Sequence, residues 1–487
     1  METILGALVG SLALIGPLIF LIYVVVVAIV LINDQRDPTK TLSWLLLIYI
    51  LPGVGLVMYF FLGRNFRKKT LRSGWWQRVA ETAQPVRDRI LSRYADDIAE
   101  GEATAKALGF DEVVRVAEAG ERSFPLPAYD VRIMPSGAEK FDQLKKDLAA
   151  AQESINIMYF IWERDELTRA LVDILIDRCK AGVEVRMLND FIGNIQYKKD
   201  QLKELQDVGG KVSYDVSALG QANYRNHQKI VVIDGVKGYT GGCNVGQEYI
   251  DGGARYDTWR DTHVCYDGPA VAGLQALFSR RWLAVEDESL FTERFFPAEY
   301  PVGQRKSVAL TVSTGIDSTW EVARRAHVVG MGEASERIWI QSPYFVPTAD
   351  IHVAMVNAAL AGVDVRLMMT GIPDKKSAWY AANTYMEPFL AAGGRVFQYT
   401  AGFFHAKTMT LDRKVCVIGT QNLDIRSLEL HKELMVWFLD PELAREHDRI
   451  FEADMEHCRE VTLADIEAQT GLQRFRDSAY RLASNLL

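Results

Sequence analysis

No two cysteines in this chain are spaced as CxxC. The five present (Cys179, Cys243, Cys265, Cys416 and Cys458) are odd in number and scattered over the 487 residues. That excludes a disulfide-stapled secreted scaffold and reads as reduced thiols in a cytosol-facing protein. Positive charge is not in excess either: 55 Lys and Arg stand against 63 Asp and Glu, a net charge of -8. A broad basic surface for nucleic acid is thereby excluded. There is no Walker A segment, no GxGxxG and no HExxH, so no nucleotide or metal site is legible by motif. The apolar share of 49% is too high for disorder. A chain of this length suggests two to four folding units, with enough residues to bury real cores.

Charge is missing altogether from two stretches near the start, residues 4–32 and 41–62. Each approaches or exceeds the ~20 residues that span a bilayer. They predict an N-terminal two-helix transmembrane hairpin, joined by a polar connector that contains Pro38. A cleaved signal peptide fits worse, because Glu2 is the only early charge and no basic region precedes the apolar run. Arg64, Arg67, Lys68, Lys69 and Arg72 crowd the end of the second run. This Lys/Arg excess places the bulk of the chain on the cytoplasmic side. Trp75 and Trp76 follow at a position suited to the headgroup layer. Residues from about 73 to 125 read as polar helices between membrane and body.

The remainder repeats itself at an offset near 180 residues. Residues 154–160 (SINIMYF) and 337–345 (RIWIQSPYF) read as buried strands, each followed by a helical stretch. Residues 181–187 (AGVEVRM) and 361–367 (AGVDVRL) then read as a glycine helix stop followed by a strand. Strands alternating with helices predict an α/β fold with mostly parallel pairing. Two copies predict two lobes related by a pseudo-twofold axis.

The third repeated segment carries the chemistry. It reads His227-Gln228-Lys229 with Asp234 in the first copy, and His405-Ala406-Lys407 with Asp412 in the second: HxKxxxxD twice. Histidine is scarce, eight in all. A chance match is expected only on the order of a few hundredths of a time in such a chain. Each copy is followed by a glycine and then an asparagine, Gly241 with Asn244 and Gly419 with Asn422. In a strand, residues two apart share a face, so His227 projects with Lys229 and His405 with Lys407. An imidazole beside a fixed ammonium suits chemistry at phosphate: lysine stabilises charge on the oxygens, and histidine attacks or moves a proton. Asn244 and Asn422 add neutral donors for the same oxygens.

Asp234 and Asp412 are counted with this catalytic set. Both have the opposite strand parity, and Asp234-Gly235 is also a hairpin-turn signal, which leaves a supporting structural role open. Asp261 and Glu433, at comparable distances downstream, are the candidates for orienting the two histidines. A carboxylate on the second ring nitrogen fixes the tautomer and raises basicity. The remaining histidines form no metal-ligand cluster by spacing.

The doubled HxKxxxxD with its downstream Gly and Asn closely resembles the phospholipase D superfamily. Within it, the chain looks most like the bacterial cardiolipin synthases. That likeness also covers Thr41 to Leu46 and Gly63-Arg64-Asn65, Gly241 to Asn244 with Glu248-Tyr249, and Gly419 to Ser427. One departure is His431-Lys432 before Glu433, where the family more often has Asn and an aromatic. The resemblance implies a membrane hairpin over 1–70, a helical membrane-proximal collar over 71–130, and two phospholipase D-like α/β lobes over 131–305 and 306–487. It implies a phosphatidyltransferase using neither metal nor cofactor. One phosphatidylglycerol would give its phosphatidyl group to another, yielding cardiolipin and glycerol through a covalent phosphatidyl-histidine. By family analogy His227 is the nucleophile and His405 the acid/base. The expected setting is the bacterial inner membrane, with the bilayer and these lipids as partners and no nucleic acid; oligomeric state is left open.

Four other readings compete with this one. A membrane-anchored phospholipase D would use water as acceptor and give phosphatidic acid. A nuclease of the same fold sits poorly with the acidic charge. A CDP-alcohol phosphotransferase needs a motif that residues 251–255 (DGGAR) miss by one residue. A non-catalytic scaffold would be expected to have lost a histidine or lysine, and neither copy has.

Overall fold

The computed structural model describes residues 20–29, 31–32, 38–63, 70, 74–195, 200–215 and 223–484. Most of the first uncharged run therefore lies outside the described residues. The second, expected as one continuous span over 41–62, is broken. A helix runs over Pro38–Ile50, a turn follows at residues 51–53, and a short helix over Val54–Met58 ends in a π-helical turn, Tyr59–Gly63. Pro52 has no N–H for a helical bond and crowds the preceding turn, while Gly53 takes φ 82°. Among the described residues no helix is long and apolar enough to cross a membrane. Trp44, Ile48 and Tyr59 pack into a small buried cluster with Val27 and Leu31. Leu42, Leu46, Ile50, Val54 and Val57 remain exposed.

The expected collar region forms three helices, Gly74–Arg93, Ala95–Leu108 and Asp111–Glu121. They pack on the body itself. Val86 and Ile98 join its central core, and Phe110, Val113, Val114 and Ala117 join the core of the second half. The next element, the strand Leu126–Met134, straddles residue 130 and belongs to the main sheet.

Among the described residues that sheet has fifteen strands and runs through both halves. At its centre Leu126–Met134 pairs antiparallel with Lys306–Thr314, Leu126 opposite Ala309. Outward from this pair the halves repeat one order. The first half lays down His263–Asp267, Lys237–Gly241, Ile230–Ile233, Ser154–Tyr159, Glu184–Asp190 and Lys211–Asp215. The second lays down Glu433–Phe438, Val415–Gly419, Thr408–Leu411, Arg337–Gln341, Asp364–Thr370 and Arg395–Tyr399, with Cys458–Val461 added at its edge. Matching order about a central antiparallel pair is the expected pseudo-twofold.

The expectation of mostly parallel pairing needs correcting. Within the main sheet only three described strands of each half pair in parallel, Ser154–Tyr159 with Glu184–Asp190 and Lys211–Asp215 beyond it, and Arg337–Gln341 with Asp364–Thr370 and Arg395–Tyr399 beyond it. There a helix returns the chain, as Glu166–Lys180 does with Asp165 capping its start by accepting from the Thr168 N–H. The other main-sheet pairs are antiparallel, and short turns join two of them, Ile230–Ile233 with Lys237–Gly241 and Thr408–Leu411 with Val415–Gly419. Asp234 and Gly235, and likewise Asp412 and Arg413, take positive φ in these turns. Alternating residues of the strands feed separate cores on the two sheet faces; the central core draws on both halves, Ile230 and Val232 packing with Ile418 and Val436.

Candidate active site

The histidine of each half lies beside the carboxylate of the other. Asn226 bridges in parallel to Lys432, with the His227 N–H donating to the Lys432 carbonyl at 3.0 Å. Extended backbone thus carries His227 alongside Glu433. In the mirror arrangement Phe403–Phe404 pairs in parallel with Trp259–Arg260, and the His405 N–H donates to the Arg260 carbonyl at 2.8 Å. His405 thereby meets Asp261. The resulting contacts are His227 Nδ1 to Glu433 at 2.9 and 3.1 Å, and His405 Nδ1 to Asp261 at 2.7 Å.

Both carboxylates are fully buried and further tied. Glu433 accepts from the hydroxyls of Thr420 and Ser427, each at 2.6 Å. Asp261 accepts from the Thr262 N–H at 2.7 Å. With the carboxylate on Nδ1, each imidazole presents Nε2 outward, and both rings line one cavity of about 630 Å³. Asn244 and Asn422 line it as well. Asn244 donates to the Tyr249 hydroxyl at 2.7 Å, and the Asn422 N–H donates to Ser427 Oγ at 2.8 Å. Phe160, Tyr249, Trp259 and Phe403 supply apolar wall. Phe160 stands edge-on to His227 at 4.9 Å and Trp259 edge-on to His405 at 5.5 Å.

Lys229 and Lys407 are buried behind the histidines. Lys229 Nζ donates to the His227 carbonyl at 2.7 Å, and Lys407 Nζ to the His405 carbonyl. Burial pushes Lys229 down to about 7 and Lys407 to about 8. Burial, then the neighbouring Lys407, lowers His405 to about 4. His227 is lowered well below its ordinary value by burial and by Lys229 and Lys407. Burial opposes ionisation of Asp261, but Lys407 and His405 beside it bring it below the usual carboxylate range. The site thus holds neutral imidazoles, that of His405 next to the ionised Asp261, with two lysines whose charge an anion would favour.

Asp234 and Asp412 are elsewhere, and their inclusion among the catalytic residues is corrected on geometry. Asp234 accepts from the N–H groups of Gln152, Glu153 and Ser154 at 2.7–2.9 Å. Asp412 accepts from those of Ser335, Glu336 and Arg337 at 2.8–2.9 Å. Each pins the hairpin that follows its HxK strand to the start of the neighbouring strand. Neither lines the cavity. The opposite parity of the Asp position is the physical reason.

Several cavity residues were not singled out from sequence. Arg225, Tyr344, Lys375 and Arg426 line it, and so does His431, marked earlier only as a departure from the family pattern. Lys432, the other departure, donates to Asp215 at 2.8 Å alongside Arg281 and so ties the halves together behind the site. Among the described residues no three His, Cys, Asp or Glu side chains gather to hold a metal ion.

A family profile described as "Cardiolipin synthase, PLD-like domain" matches residues 144–282 and 329–455, and a second, phospholipase D-nuclease N-terminal, matches 19–64. The chain is 32% identical to cardiolipin synthase 2 of Bacillus anthracis, covering 96% of this chain and 91% of that one. It is 31% identical to the major cardiolipin synthase ClsA of Bacillus subtilis (strain 168), over 96% and 98%. Among solved structures, phosphatidylserine synthase of Haemophilus influenzae Rd KW20 superposes with a TM-score of 0.59 at 13% identity, covering 77% of this chain and 99% of that one. This last likeness concerns the fold.

Proposed function

The chain belongs to the bacterial cardiolipin synthases of the phospholipase D superfamily, and on that premise we propose how it joins two phosphatidylglycerols into cardiolipin and glycerol. The observation that carries the mechanism is the pair of imidazoles lining one cavity, each with a carboxylate on Nδ1. His227 Nε2 attacks the donor phosphorus. The N–P bond forms as the P–O bond to the headgroup glycerol breaks, and His405 gives that oxygen a proton. The anionic phosphodiester must raise His405 above the low value set by burial and Lys407 for it to act as acid. A hydroxyl of the acceptor headgroup then gives its proton to His405 and attacks the phosphorus. The new P–O bond replaces N–P and restores His227. Two displacements replace one difficult one, and one diester is exchanged for another. Lys229 and Lys407 supply positive charge behind the reacting oxygens, and Asn244 and Asn422 offer neutral donors to them.

The N-terminal segment is proposed as the bilayer anchor. The exposed apolar surface of residues 20–61 is far too extensive for water, and the basic cluster at 64–72 favours a body on the cytoplasmic side. The C-terminal helix Gly471–Ser484 adds a second contact. Leu472, Phe475 and Leu482 are exposed along one stripe, and Tyr480 on the same helix lines the cavity. A helix of this kind lies in the interface plane. Donor and acceptor then reach the cavity from the same lipid layer.

The deciding experiment is the purified protein with labelled phosphatidylglycerol and a chelator. Cardiolipin and glycerol in equal amounts are expected. Phosphatidic acid as the main product would replace the synthase with a hydrolase, and loss of activity to the chelator would remove this mechanism.

A further inference from the structure

One half-buried arginine of the catalytic cavity, Arg426, forms no ion pair with any described carboxylate. The buried arginines Arg186, Arg260, Arg281 and Arg337 all pair with carboxylates. Arg225, on the same cavity wall, is held by Asp190 at 2.6 Å. Arg426 is half-buried and donates only to neutral atoms, Asn223 Oδ1 at 3.3 Å and His431 Nε2 at 3.4 Å, with no ion pair to any described residue. Asp424, two residues earlier, attracts Arg426 through space but forms no ion pair with it, its carboxylate capping its own helix by accepting from the Ser427 N–H. A guanidinium stripped of water without a counter-charge is costly, unless a ligand completes it.

We propose that Arg426, with His431 beside it, seats the phosphodiester of the second lipid, the acceptor phosphatidylglycerol. This rests on the synthase reading above and adds to it the means of choosing an acceptor. The acceptor differs from water and from free glycerol in carrying an anion one glycerol away from its attacking hydroxyl. Arg426 lines the same cavity as His227. His431 touches both, its Nε2 accepting from Arg426 Nε at 3.4 Å and its ring centroid lying 5.9 Å from that of His227. The charge of Arg225 is already spent on Asp190, and Arg255 and Lys375 are exposed at the rim. The membrane segment also reaches this side: Lys40 pairs with Glu429, on the same short helix as Arg426.

The test offers the full-length enzyme three acceptors after loading with labelled donor: phosphatidylglycerol, soluble glycerophosphoglycerol, and glycerol. Arg426→Gln should lower transfer to both phosphodiester acceptors, relative to glycerol, by roughly tenfold to a hundredfold, through the acceptor KM more than through kcat. Arg426→Lys should restore most of that ratio. A fall of all three reactions in step, or of none, overturns the proposal. A fall confined to phosphatidylglycerol also overturns it, because acyl chains and not the phosphodiester would then be read. Wild-type enzyme that forms no cardiolipin would strike the underlying synthase reading instead, and the same assay shows it.

Discussion

Glu433 lies 2.9 Å from Nδ1 of His227, a residue 206 positions earlier and in the other half of the molecule. Asp261 and His405 make the reciprocal pair at 2.7 Å across 144 positions. Neither half therefore holds a complete histidine–carboxylate couple. Each couple exists only when the two lobes are docked, so docking and competence for catalysis are one event.

The crossed pairs make distinguishable variants. Glu433→Gln keeps the shape but removes the charge that fixes the His227 tautomer. It should slow phosphatidyl-enzyme formation on the order of a hundredfold to ten-thousandfold. Asp261→Asn acts through His405 and should also slow breakdown of the loaded enzyme. Rapid-quench measurement of label on the protein separates the two. Identical defects in both steps for both variants would contradict the crossed division of roles.

His227→Ala should carry no trapped phosphatidyl group at all. His405→Ala loses the proton donor and should give slow loading from phosphatidylglycerol that a better leaving group rescues. An activated phosphodiester with a nitrophenyl leaving group checks this. Label retained on His227→Ala would reverse the assignment of nucleophile.

Asp412→Asn should damage stability and leave the chemistry largely intact. Asp412 accepts from three backbone N–H groups and sits at φ 51°, a conformation that asparagine tolerates. Loss of the carboxylate should cost about 1–3 kcal/mol of unfolding free energy. Activity per folded molecule should stay within a few-fold of wild type. A loss like that of a histidine variant, in protein of normal thermal midpoint, would return Asp412 to the catalytic set.

His447 predicts an acid sensitivity. It is fully buried, neither ring nitrogen finds a partner among the described residues, and burial lowers it from 6.5 to about 3. Between those values the unfolded chain binds a proton that the folded protein refuses, so stability falls as pH drops below about 6.5. His447→Leu removes this proton uptake. It should gain about 2 kcal/mol more at pH 5 than at pH 7.5. Denaturant titrations of solubilised protein at the two values measure it; an equal effect at both would show that His447 titrates normally.

The duplication, the two HxK strands, the asparagines and the two carboxylates were legible along the linear chain, because period-two strand geometry and a doubled motif are local facts. The sequence misplaced Asp234 and Asp412 only in part, since the turn signal and the wrong parity were both readable. It also overstated parallel pairing, because strand periodicity carries no direction, and it read 41–62 as one span although Pro52-Gly53 stood inside it. Only the tertiary structure decided which carboxylate serves which histidine. That choice follows from parallel backbone bridges between Asn226 and Lys432 and between Phe404 and Arg260, contacts between segments far apart along the chain. It also decided that Arg426 is left without an ion pair among the described residues, since an ion pair is a property of what surrounds a side chain once water has been excluded, and no spacing rule encodes that.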